Sequence, residues 1–85
     1  MRKQVQRFAE EMEKVLAIHD NFKGGYQSCT NGYLYRRLME ESAELFQAIF
    51  EKDAMRGGKN VVRECVDVAN FAMMIADKYL KHNKD

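Results

Sequence analysis

Two short acidic blocks carry the chemistry open to this chain. The first is Leu38-Met39-Glu40-Glu41-Ser42-Ala43-Glu44-Leu45, and the second is Arg63-Glu64-Cys65-Val66-Asp67-Val68-Ala69-Asn70. Glu41 and Glu44 stand three residues apart, and so do Glu64 and Asp67. On a helix that spacing puts both members of a pair on one face. Like charges so placed repel by roughly 0.2–0.5 kcal/mol per pair at an exposed surface, and burial raises the cost. A cation between the pairs reverses the sign. Carboxylates without histidine or thiolate select hard cations, so the expected ion is Mg²⁺, with Mn²⁺ as a substitute. The expected ligands are Glu41, Glu44, Glu64 and Asp67, with Glu40 on the flank as an outer group or a solvated charge. Mg²⁺ held by carboxylates usually binds substrate phosphate as well. A di-iron bundle would need Glu-x-x-His, which neither His19 nor His82 supplies, and the calcium-loop spacing is absent.

Three helices are expected to position these groups. Over residues 2–20, Val5, Phe8, Met12, Val15, Leu16 and His19 recur at steps of three and four, opposite a Lys/Glu face. His19 ends that stripe, either as a half-buried structural histidine or as a substrate contact. Residues 20–32 hold turn material, including Asp20-Asn21 and Lys23-Gly24-Gly25-Tyr26, and Thr30 or Asn31 is placed to cap the next helix. A connection of this length is long for a helical domain and marks a candidate binding loop. Its glycine backbone and Lys23 suit phosphate, and Tyr26 suits either a base or the core. The second helix is expected over 33–54, with Leu34, Leu38, Leu45, Ala48 and Ile49 as its stripe and Glu41 standing inside it. A carboxylate at a core position needs a partner. Arg37, one turn earlier, suits a salt bridge to Glu41 or a phosphate. The third helix, 60–82, begins after Gly57-Gly58 and carries two adjacent apolar stripes, interrupted by Glu64, Asp67 and Asn70. A helix apolar over so much of its surface is buried, and three helices do not cover it. A homodimer or homotetramer forming a larger bundle is therefore expected. If the second and third helices form an antiparallel hairpin, Glu44 lies level with Glu64 and Glu41 with Asp67, each pair symmetric about position 54.

Size and composition bound the remaining readings. With 85 residues the chain is read as one domain, 1–85, of a size at which a lone core is marginal. No proline, 46% hydrophobic residues and five glycines suit an all-α fold. A net charge of +1 offers no electrostatic ground for nucleic acid as a partner. No apolar run is long enough for a membrane span, and the basic start Met1-Arg2-Lys3-Gln4 lacks the features of a secretory signal. Two cysteines, Cys29 and Cys65, are too few for a disulfide framework or a zinc site, so the expected setting is reduced and cytoplasmic.

Glu41-x-x-Glu44 followed, after a nineteen-residue spacer, by Glu64-x-x-Asp67 resembles the signature of the MazG-like all-α nucleoside triphosphate pyrophosphohydrolases. The loop Asp20-Asn21-Phe22-Lys23-Gly24-Gly25-Tyr26 is similar to one in short members of that family. The resemblance spans roughly residues 8–79. It implies metal-dependent cleavage of a nucleoside triphosphate to monophosphate and pyrophosphate, in a MazG-like bundle completed by oligomerisation. Carried over, Glu41, Glu44, Glu64 and Asp67 hold Mg²⁺, and Glu40 assists or orients water. Lys23 then steadies phosphates, Asn70 meets sugar or a metal-bound water, and Lys78 reaches the phosphates. A different class of function stays open: a helical interaction or regulatory module that keeps the metal site without turnover.

Overall fold

Among the described residues the apolar spacing at three and four residues is realised as three helices. The structure, a computed structural model, describes residues 1–19, 25–51 and 59–82. Among these residues the regular elements are α1 (Lys3–Ile18), a single 3-10 turn (Tyr26–Ser28), α2 (Asn31–Ile49) and α3 (Lys59–His82), with no strand. The all-α, three-helix expectation holds at that level. None of these helices is long and apolar enough to cross a membrane.

Helix ends follow local chemistry. Thr30 is the N-cap of α2: its hydroxyl accepts from the Tyr33 N–H at 3.1 Å, so the helix opens at Asn31, two residues before the expected start. At the other end α2 closes at Ile49, short of position 54. There the Glu51 N–H turns back to the Ala48 carbonyl at 3.3 Å, and beyond Phe50 the sequence supplies no further stripe residue to reward another turn. The sequence breaker Gly57-Gly58 lies outside the described residues. Ahead of the 3-10 turn, Gly25 has φ +53° and ψ −177°, a conformation open in practice only to glycine. A Cβ there would also stand 2.8 Å from the Gln27 side-chain oxygen.

The main packing is α2 against α3, with α1 laid on α3. Cross-helix contacts give the register. Asn31 Nδ2 donates to the Tyr79 hydroxyl at 3.2 Å, and the Arg37 guanidinium lies 5.2 Å from the Phe71 ring centre. Positions rise on one helix as they fall on the other, so the pair is antiparallel. Arg37 and Phe71 are symmetric about position 54, as the levelled hairpin requires. The core at this seam is small. Leu34 and Val66 are 1% exposed and Ala48 is 7% exposed, while α1 has no fully buried residue.

Leu34 therefore carries an outsized share of the packing. Leu34→Ala is expected to cost about 2–5 kcal/mol. Urea unfolding checks this as a lower midpoint at an unchanged slope; a wild-type midpoint would mean that Leu34 is not a core residue.

Candidate metal centre

The same seam buries two polar side chains, Glu41 at 7% exposure and Asn70 at 4%. Glu41 occupies an inward position of α2, one turn after Arg37 and two turns after Leu34. Glu64 and Asp67 project from α3 one turn apart. The antiparallel register brings the three together: Glu41, Glu64 and Asp67 each offer a carboxylate oxygen, and these oxygens all lie within 4.8 Å of one another. Glu44 is exposed and stands outside that group, yet its charge is felt by Glu64. Glu40 is exposed too, on the flank of α2.

Two arginines engage the cluster. Arg37 Nη1 donates to Glu40, and its Nη2 donates to Glu41 Oε1 at 3.4 Å. Arg63 Nε donates to Asp67 Oδ1 at 3.2 Å. Several polar atoms at the seam have no partner. Glu41 Oε2, Glu64 Oε2 and both side-chain polar atoms of Asn70 are buried without a hydrogen bond. A buried polar group left unmatched costs about 1–3 kcal/mol, more if charged. Oxygen-only donors, converging and partly unmatched, fit a hard divalent cation.

The expected substrate-side residues fall in three places. Asn70 lies one turn along α3 from Asp67, inside the seam. Tyr26, in the 3-10 turn, and Lys78, further along α3, fasten the turn to that helix. The Tyr26 hydroxyl donates to Asp77, and Lys78 Nζ donates to the Cys29 carbonyl at 2.6 Å. That bond to Asp77, then burial, pushes the Tyr26 hydroxyl pKa up, against the pull of Lys81. Lys23 lies outside the described residues. A cleft of about 670 Å³ opens between α1, the turn, the start of α2 and α3, lined by Leu16, His19, Tyr26, Tyr33, Phe71 and Met74 among others. Phe71 is shared: it lines the cleft and lies beneath Arg37, which bonds Glu41. Cleft and cluster are thus neighbours.

Sequence reasoning passed over Arg63, Phe71 and Asp77. The signal for Arg63 was present, because it precedes Asp67 by four residues as Arg37 precedes Glu41. The partners Phe71 and Asp77 depend on cross-helix register and had no local signal. No protein-family model, curated protein or solved structure matches the chain.

Burial, followed by the Glu44 and Asp67 carboxylates, holds the Glu64 carboxyl above its ordinary range, against the pull of Arg63. A carboxyl raised in the folded state binds its proton more tightly there than in the unfolded chain. Its ionisation costs stability above the raised pKa, and that cost vanishes below the ordinary one. Metal-free Glu64→Gln is therefore expected to melt higher than the wild type at neutral pH, with the gap closing as pH falls through the carboxylate range. Thermal unfolding in EDTA across that range checks it. A variant that melts at or below the wild type at neutral pH contradicts the assignment.

Proposed function

We propose that the chain is a divalent-cation-dependent nucleoside triphosphate pyrophosphohydrolase of the MazG-like type. It would take an NTP or dNTP and water to the monophosphate and pyrophosphate, as a nucleotide-pool house-cleaning enzyme. The observation that carries the reading is the convergence of Glu41, Glu64 and Asp67 from two helices, with buried oxygens of Glu41 and Glu64 left unmatched. The shared Phe71 edge supports it further, because it puts a cleft with aromatic walls beside the carboxylates.

Mg²⁺ or Mn²⁺ at such a site supplies charge neutralisation for a polyphosphate and a more acidic water. Glu41, Glu64 and Asp67 would hold the ion, and the exposed Glu44 would add its charge to the site. Glu40, held by Arg37 on the exposed flank, orients the attacking water and takes its proton. Arg37 and Lys23 meet phosphate. Asn70 offers its unmatched amide to the sugar or to an ordered water. The Tyr26 ring lines the cleft, where it is available to stack on a base while its hydroxyl stays on Asp77. Lys78 must give up the Cys29 carbonyl to reach a phosphate.

Metal-dependent pyrophosphate release from a panel of ordinary and damaged NTPs and dNTPs tests the enzyme. Turnover is expected with Mg²⁺ or Mn²⁺ and none with EDTA. Glu41→Gln should lower it by about 100-fold or more, beyond the loss typical of an outer-sphere partner. Silence across the panel from folded protein sinks the enzyme reading. The interaction-module reading then takes its place, favoured by the apolar patch of Phe46, Ile49 and Phe50, each more than half exposed.

Assembly is part of the same proposal. Phe46, Ile49 and Phe50 stand together at the end of α2, each more than half exposed, and covering such a patch is what a self-association surface does. A dimer or dimer of dimers that covers the end of α2 is expected. Sedimentation should give a mass of two or four chains, shifted toward one by Phe46→Glu. A wild-type monomer at micromolar concentration would refute the assembly.

A further inference from the structure

We propose that Arg37 and Arg63 are internal counter-cations of the acidic cluster, which hold its carboxylates together without a divalent cation and compete with one for them. This rests on the metal-centre reading and concerns how the site is regulated.

Each arginine sits four residues before a cluster carboxylate on its own helix, Arg37 before Glu41 and Arg63 before Asp67. Because α2 and α3 run antiparallel, the two guanidinium groups approach the cluster from opposite ends. Counting Glu40 and Glu44, the cluster has five carboxylates, and the two arginines pair with three of them, Glu40, Glu41 and Asp67. The cluster is thus only partly neutralised. Arg37 takes Glu41 Oε1 and leaves Oε2 as the buried, unmatched atom. It is held in place from the other helix by the Phe71 ring. Arg63 has somewhere to go on leaving Asp67. It borders a groove of about 440 Å³ between α1 and α3, which Glu11 also lines.

Two effects of these arginines on an incoming cation oppose each other. Holding a carboxylate in a fixed rotamer favours ligation, whereas a fixed positive charge beside the site disfavours it. The arginines are side-chain neighbours of the ligating oxygens, and Coulomb repulsion at that range is substantial even at an effective dielectric of about 20. Holding Glu41 is a weaker effect, because burial already restricts its side chain. Repulsion therefore dominates, and the cation gains affinity when a guanidinium is taken away. The same removal exposes the metal-free carboxylates to one another and loosens the seam. An anion that draws the guanidinium groups off their carboxylates, such as a polyphosphate, would act in the same direction as removal.

Mn²⁺ titration of the full chain, read by electron paramagnetic resonance, tests this on wild type, Arg37→Gln, Arg63→Gln and Arg63→Lys. Both Gln variants are expected to bind Mn²⁺ about three- to tenfold more tightly than the wild type and to melt lower in EDTA. Arg63→Lys keeps the charge and should bind as the wild type does. Arg63 is half exposed, so its variants decide the matter if Arg37→Gln fails to fold. Wild-type binding with equal or weaker binding by Arg63→Gln overturns the inference and leaves the metal centre standing. No Mn²⁺ bound by the folded wild type overturns both.

Discussion

The costliest feature of this small molecule is the carboxylate placed in its core. Glu41 stands on the inward face of α2, among the few described residues that a single chain buries, and Glu64 and Asp67 face it from α3. An apolar side chain at each position would give a more stable seam, because desolvating a charge costs several kcal/mol while burying a leucine contributes about 1.5–3. The helices keep the acids and surround them with compensations: Arg37 and Arg63 along each helix, and Phe71 beneath one guanidinium. A fold that needed only to be stable would not be built this way. The arginine positions answer that group directly, each four residues before a cluster carboxylate on its own helix.

The element pattern was readable because amphipathic spacing is local. Helix identity followed from Phe8, Met12 and Val15 in α1, and from Leu34, Leu38 and Leu45 in α2. Thr30 announced the start of α2 through hydroxyl capping, again a local effect. The end of α2 was placed too late because the expectation followed the turn towards the glycine breaker, whereas the helix closes at Ile49, where its apolar stripe stops. Convergence of the acidic residues was legible from their symmetry about position 54, which rests on one assumption, an antiparallel hairpin. Glu44 shows where that symmetry is insufficient. Level height does not decide on which side of a helix a carboxylate emerges, and the Glu44 side chain is exposed.

Tyr26 and Lys78 show a different limit. Their types suit a base and a phosphate, but type says nothing about a partner fifty residues away. Asp77 and the Cys29 carbonyl engage them because the turn folds back on the far end of α3. Asn70 has the opposite history: it interrupts the apolar stripes of α3 in the sequence, and it sits in the seam with both polar atoms unmatched. The weak burial of α1 belongs here too. Its stripe is clear in sequence, and no residue of it is fully buried in the single chain.

One helix joins these places mechanically. α3 carries Glu64 and Asp67 near its start and, ten residues after Asp67, the Asp77 and Lys78 side chains that fasten the turn. Ten residues of helix are about 15 Å of stiff rod. A tilt of α3 by about five degrees about the carboxylates would carry the fastened turn sideways by roughly 1 Å. The turn forms one wall of the cleft, so the width of that cleft is geometrically tied to the angle at which α3 leaves the acidic cluster.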